Sequence, residues 1–168
     1  VIRATFEEAR EWWGNSERLM MGDVRASLKG SVVHRHQHHM PAHFTTAAYH
    51  RYPGVYKKRK PRRYRSRSGG QWKSYNPAPL VSSGHTRNQV MGTARFTASK
   101  QRGTHIVTAR STFNVPPYLK FIKSRGYDPS KELAATNRQE KGAMLRVFRD
   151  GLQRRINDRR TGKRRITL

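Results

Sequence analysis

Cysteine is missing from all 168 residues, which excludes disulfides and thiolate-bound metals. Acids are scarce: 10 Asp and Glu stand against 36 Lys and Arg, for a formal net charge of +26. The acids are Glu7, Glu8, Glu11, Glu17, Asp23, Asp128, Glu132, Glu140, Asp150 and Asp158, with none between Val24 and Tyr127. The central stretch therefore has no local carboxylate to orient a histidine, hold Mg²⁺ or act as a general base. The terminal acids sit in or beside expected helices, whose caps and faces account for them. No catalytic residue, cofactor or metal is expected, and the chain does not read as an enzyme.

Apolar residues are also few. Hydrophobic residues make up 34%, and the 13 glycines do not lift the apolar share to the usual ~45–50%. A core is possible, but it does not take in the whole chain, and some segments order only against a partner. No run approaches the ~20 apolar residues that span a bilayer. Residues 1–13 carry three glutamates and no apolar run leading to a small-residue cleavage site, so neither signal peptide nor membrane partner is expected. Such an excess of one charge opposes compaction unless polyanions or acidic neighbours neutralise it.

Several patterns suggest chemistry and do not carry it. The run His34-Arg35-His36-Gln37-His38-His39, with His43 and His50 beyond, sets His34 and His38, and His39 and His43, four residues apart. Lasting metal sites add a carboxylate or thiolate and a supporting shell, so the stretch reads as a polar surface or interface. The segment Val81-Ser82-Ser83-Gly84-His85 lacks a Gly-x-Ser-x-Gly elbow. Gly69-Gly70 and Gly103 form neither a P-loop nor a dinucleotide fingerprint.

Thr5-Phe6-Glu7-Glu8 fits a capping box for a short helix ending near Gly14. A second helix is expected from Ser16 or Asp23 to about His39 on the spacing of Leu19, Met20, Val24, Leu28 and Val32, against the drag of Gly22 and Gly30. Residues 41–79 lose all periodicity and read as an extended basic arm. Residues 89–99 alternate as a strand, residues 100–103 turn, and residues 104–111 return. Residues 113–122 read as a loop and an aromatic segment packing on that sheet. Asp128-Pro129 opens a single amphipathic helix, with Leu133, Thr136, Glu140, Met144, Val147, Phe148, Leu152 and Ile156 on its inner face. Arg138, Lys141, Arg146, Arg149, Arg154 and Arg155 lie on its outer face. The expected division is a helical 1–40, an arm at 41–79, a hairpin-plus-helix core at 80–157 and a basic tail at 158–168.

Two basic clusters follow. Residues 51–67 hold nine Lys or Arg and no acid. Arg51, Lys57, Lys58, Arg59, Lys60, Arg62, Arg63, Arg65 and Arg67 interleave there with tyrosines, and Trp72 and Tyr75 lie just beyond. The second cluster is Arg154, Arg155, Arg159, Arg160, Lys163, Arg164 and Arg165. Cations neutralise phosphates and release counterions, while aromatics stack on bases. No zinc-finger spacing or RNA-recognition signature accompanies them. The clusters fit either sequence-blind contact with a nucleic-acid backbone or acidic patches on protein neighbours.

The stretch Asn76-Pro77-Ala78-Pro79-Leu80-Val81-Ser82-Ser83-Gly84-His85-Thr86-Arg87 resembles the tail-completion, or neck, proteins of long-tailed phages, also called head–tail joining or virion morphogenesis proteins. In that family a Pro-Leu-Val-x-Ser/Thr-Gly-x-x-Arg motif follows a Tyr- and Lys/Arg-rich segment. A β-hairpin, a turn with proline and aromatics, and a helix opening near an acidic-Leu pair come after it. The corresponding parts are residues 56–67, then Pro79, Leu80, Val81, Ser83, Gly84 and Arg87, then 90–109, 116–121, and Glu132-Leu133 onward. The match covers roughly residues 49–157.

The resemblance implies an α+β fold, a small antiparallel sheet backed by the long C-terminal helix, with N-terminal helices and an extended basic arm. It implies copies closing into a ring, on the order of six- or twelve-fold, between portal-side connector and tail proteins at the virion neck, assembled in the host cytoplasm. Basic residues facing the lumen would meet the exiting DNA through its backbone. Deletion of residues 51–67 is expected to block joining and spare the helix-and-sheet core. The competing class is a ribosomal or other ribonucleoprotein component, with RNA stacked on the aromatics and held at phosphates and 2′-hydroxyls.

Overall fold

The computed structural model describes residues 2–4, 17–56, 61–65, 71–75, 85–104, 106–119 and 127–160. Helices and strands mix in an α+β fold with a small antiparallel sheet and a long C-terminal helix. The chain forms two compact units, one from residues 1–36, 95–112 and 139–168, the other from 37–94 and 113–138. The capping box at Thr5 lies outside the described residues.

The first unit is built on a three-stranded sheet, β1 (Ile2–Ala4), β4 (Arg95–Lys100) and β5 (Val107–Thr112), in the order β1-β5-β4 with both pairings antiparallel. The β4–β5 turn closes with Gln101 N–H donating to the Ile106 carbonyl at 2.9 Å. Gly103 sits there at φ 74, a left-handed conformation that a Cβ would strain. Helix α1 (Glu17–His34) lies on β4 and β5, and its Met20, Met21, Val24, Leu28 and Val32 are buried. The same core takes Val107 and Ala109 from β5, Phe148 and Leu152 from the C-terminal helix, and partly buried Phe96 and Ala98 from β4. Each large side chain enclosed there contributes about 1.5–3 kcal/mol.

Gly22 and Gly30, which weaken the sequence case for α1, lie on its exposed face, where an added Cβ meets nothing within 4 Å. The helix forms because its other side is buried. Gly22→Ala and Gly30→Ala are each expected to stabilise the fold by about 0.8–1 kcal/mol. Thermal melts measure this, and a lowered midpoint for either would contradict the placement.

The second unit corrects the expected arm. Past a π-helical turn (Arg35–His39) comes a 3₁₀ turn (Met40–Phe44), which packs against α2 (Ala48–Arg51), α3 (His85–Gly92) and α4 (Pro129–Ala134). Met40, Phe44, Ala48, Tyr52, Tyr56, Val90, Leu119 and Leu133 form its core. Residues 41–56 thus contribute to a core instead of forming an extended arm, and the basic segment continues beyond them. Within it, β2 (Arg62–Tyr64) and β3 (Lys73–Tyr75) pair as an antiparallel ribbon.

Three further expectations give way. Residues 89–92, expected to open the first strand, close helix α3 instead, and β4 begins at Arg95. Thr93 ends α3, its N–H and Oγ1 both donating to the Gln89 carbonyl, at 3.0 and 2.7 Å. The aromatic segment joins the second core through Leu119, Phe113 and Tyr118 rather than packing on the sheet. Last, the single helix from Asp128 is two. Asp128 caps α4 as expected, accepting from Ser130 N–H at 3.1 Å and Lys131 N–H at 3.2 Å. Ala135 then turns extended at ψ 141, and α5 (Arg138–Arg160) starts afresh. Leu133 belongs to the second core, whereas Glu140, Met144, Phe148 and Leu152 are buried along α5.

Candidate nucleic-acid interface

Among the described residues, three acids turn inward. Asp23 on α1 is 2% exposed and takes a two-point grip from Arg159 on α5, with Nε at 2.5 Å and Nη2 at 3.1 Å from its two oxygens. That hydrogen bond raises the Arg159 pKa above the ordinary arginine value, more than burial lowers it. Glu140 is buried with Arg35 Nε 3.8 Å away. Glu132 is buried in the second unit. Asp128 is occupied as a helix cap. Among the described residues whose burial is known, Asp150 is the one exposed acid, and Asp158 is half-buried.

The cations turn outward. Arg18, Arg25 and Lys29 on α1, Lys141, Arg146, Arg149 and Arg154 on α5, and Arg95, Arg102 and Arg110 on or beside the hairpin are all exposed. With carboxylates consumed inside, the surface field is more positive than the ratio of acids to bases suggests.

The histidine stretch divides between the two cores. His36 packs edge-on against Phe96 with ring centroids 5.3 Å apart. His43, wholly buried, stacks on Tyr52 at 4.2 Å. The Tyr56 hydroxyl donates to the Glu132 carbonyl at 2.8 Å, and His43 Nδ1 lies 2.6 Å from that hydroxyl. With its proton on Nδ1, His43 donates to the Tyr56 hydroxyl, which donates in turn to the Glu132 carbonyl. Among the described residues no group of three or more His, Cys, Asp or Glu could hold a metal. His36 and His43 serve packing, whereas His38 and His50 are exposed.

The expected basic site is only partly in view. Lys57, Lys58, Arg59, Lys60, Arg67, Lys163, Arg164 and Arg165, the side chains of Arg62 and Arg160, and the motif residues Pro79, Leu80, Val81, Ser83 and Gly84 lie outside the described residues. Arg63 and Arg65 are exposed along the β2–β3 ribbon together with Lys73, and Trp72 is 66% exposed there. Arg87 is exposed on α3. Arg154 is exposed, and half-buried Arg155 lines a groove of about 250 Å³ between α1 and α5 with Ser27, Gly30 and Gly151. Arg159, grouped with the contact residues by its neighbours in sequence, is half-buried and pairs with Asp23.

Sequence reasoning overlooked the outward face of the hairpin. Arg95, Thr97 and Ser99 on β4 stand opposite Thr112, Arg110 and Thr108 on β5. The signal was present as the polar half of a two-residue alternation. Comparisons with protein-family models, with curated proteins and with solved structures found no match for this chain.

Proposed function

We propose that the chain is a non-enzymatic structural component of a nucleic-acid-containing assembly, and that its station is the head–tail connector of a long-tailed phage. The observation that carries the first half is the segregation of charge. Asp23, Glu132 and Glu140 are spent on the interior while the exposed surface is studded with arginine and lysine. A surface of that kind gains most where polyanions release counterions to it. The connector station rests on the ordered motifs from residues 56–67 through Glu132-Leu133. In this reading copies of the chain close into a ring at the virion neck, touching portal-side and tail proteins.

The ribonucleoprotein reading has one observation in its favour. Trp72 stands exposed on a ribbon carrying Arg63, Arg65 and Lys73, a combination suited to stacking on an unpaired base. Mass separates the two. Native mass spectrometry of the purified full chain is expected to show a closed homo-oligomer. A single copy that co-purifies with RNA in a larger particle would sink the connector and favour the alternative.

A further inference from the structure

Strands β4 and β5 alternate strictly. Phe96, Ala98, Val107 and Ala109 turn to the core of the first unit, so the intervening residues turn away from it. The register sets Arg95 against Thr112, Thr97 against Arg110, and Ser99 against Thr108. Directly opposed residues of antiparallel strands share a face. All six of these side chains end in a guanidinium or a hydroxyl, and all but half-buried Thr108 are open to solvent. No acid occurs anywhere from residue 95 to 112, and Arg102 adds a further exposed cation in the connecting turn.

We propose that this sheet face is a contact surface for the phosphodiester backbone of a nucleic-acid duplex, engaged without regard to base sequence. The inference rests on the reading of nucleic acid as a partner, and it names the surface and the form of the strand. Arg95 and Arg110 are diagonal neighbours on adjacent strands, a separation of roughly 7–8 Å, close to that of successive phosphates along one strand. Guanidinium groups fork onto phosphate oxygens, and the threonine and serine hydroxyls donate between them. Single strands are gripped by stacking bases on aromatic rings. None of the six outward residues is aromatic, so they offer a base no ring to stack on. What it offers suits the continuous charge of a duplex, which carries one phosphate for every ~1.7 Å of axis.

The test is carried out on the full chain. Arg95→Gln with Arg110→Gln removes two exposed charges from the face, and Arg146→Gln with Arg149→Gln removes two from the exposed side of α5. Binding to mixed-sequence DNA duplex, to the matched RNA duplex and to a DNA single strand is titrated over a range of salt. The sheet-face variant is expected to flatten the salt slope for duplex by about 1.8, which at ~0.1 M salt is a roughly sixty-fold loss of affinity. The α5 variant is expected to lose far less. An equal loss from both variants, no loss from the first, or a wild-type preference for the single strand would each overturn the proposal. The two duplex arms decide whether DNA or RNA supplies the backbone. Oligomer mass measured on the same samples keeps the readings apart. A monomer that still shows the flattened slope sinks the ring and spares the surface, and an intact ring with an unchanged slope does the reverse.

Discussion

Arg159→Ala is expected to lower the unfolding free energy by about 3–5 kcal/mol, the cost of stripping one partner from an ion pair whose other member stays buried. The pair spans 136 residues of sequence to join α1 to α5, and Asp23 is 3% exposed at its side chain against 23% for Arg159. Both oxygens of Asp23 are engaged, so the fork holds the helices in register as well as neutralising the charge. Small residues let the helices approach: a Cβ on Gly151 would stand 3.5 Å from Ser27 Oγ. Because the Arg159 pKa is raised on folding, its contribution is fully present below the ordinary arginine range and is lost only in stronger alkali. A urea double-mutant cycle measures the coupling. Asp23→Leu with Arg159→Met is expected to recover most of the loss, since an apolar pair often replaces a buried ion pair at little cost. Exposed Arg154→Ala is expected to stay within about 0.5 kcal/mol. If Arg159→Ala matched it, the clamp would not exist.

What could be read from sequence was what repeats locally. The spacing of Met20, Val24, Leu28 and Val32 in α1, the turn at Gly103, the cap at Asp128 and the alternation from Arg95 to Lys100 are each set within a few residues, and the structure has them. Pairings over long separations were not legible. Nothing near Asp23 announces Arg159, so the arginine was grouped with its charged neighbours. The break between α4 and α5 falls between Leu133 and Glu140, seven residues apart, a step that keeps helical phase and hides the change of core. The one available sign was Asn137 three residues before Glu140, a capping-box spacing. Residues 41–56 misled by composition. Their tyrosines and histidines look like surface, yet Tyr52, Tyr56 and His43 are buried, because their rings pack on one another and the Tyr56 hydroxyl and His43 Nδ1 find partners.

That burial adds a second consequence to deleting residues 51–67. The deletion takes out Tyr52 and Tyr56, 3% and 7% exposed, and with them the ring stacked on His43 and the hydroxyl that caps the Glu132 carbonyl. Loss of one such aromatic costs about 3–5 kcal/mol, and two from a small core exceed what a unit of this size holds in reserve. The second unit is therefore expected to unfold. The first keeps its own core of Leu28, Val107, Phe148 and their neighbours. To it the unfolded segments become longer loops, and each doubling of loop length adds only ~0.6 kcal/mol of closure entropy. Hydrogen exchange reads the two separately: amides of α2 and α3 are expected to lose protection while those of β4 and β5 keep it. Tyr56→Phe offers a graded version. It retains the ring and removes one hydroxyl, while the Glu132 carbonyl keeps the Ala135 N–H at 3.3 Å and has His43 Nδ1 at 3.1 Å, so the cost is about 0.5–1.5 kcal/mol, felt in the second unit alone. Protection lost equally in both units, under either change, would mean that the two cores fold as one, and failed assembly by a 51–67 deletion would then say nothing about the basic segment itself.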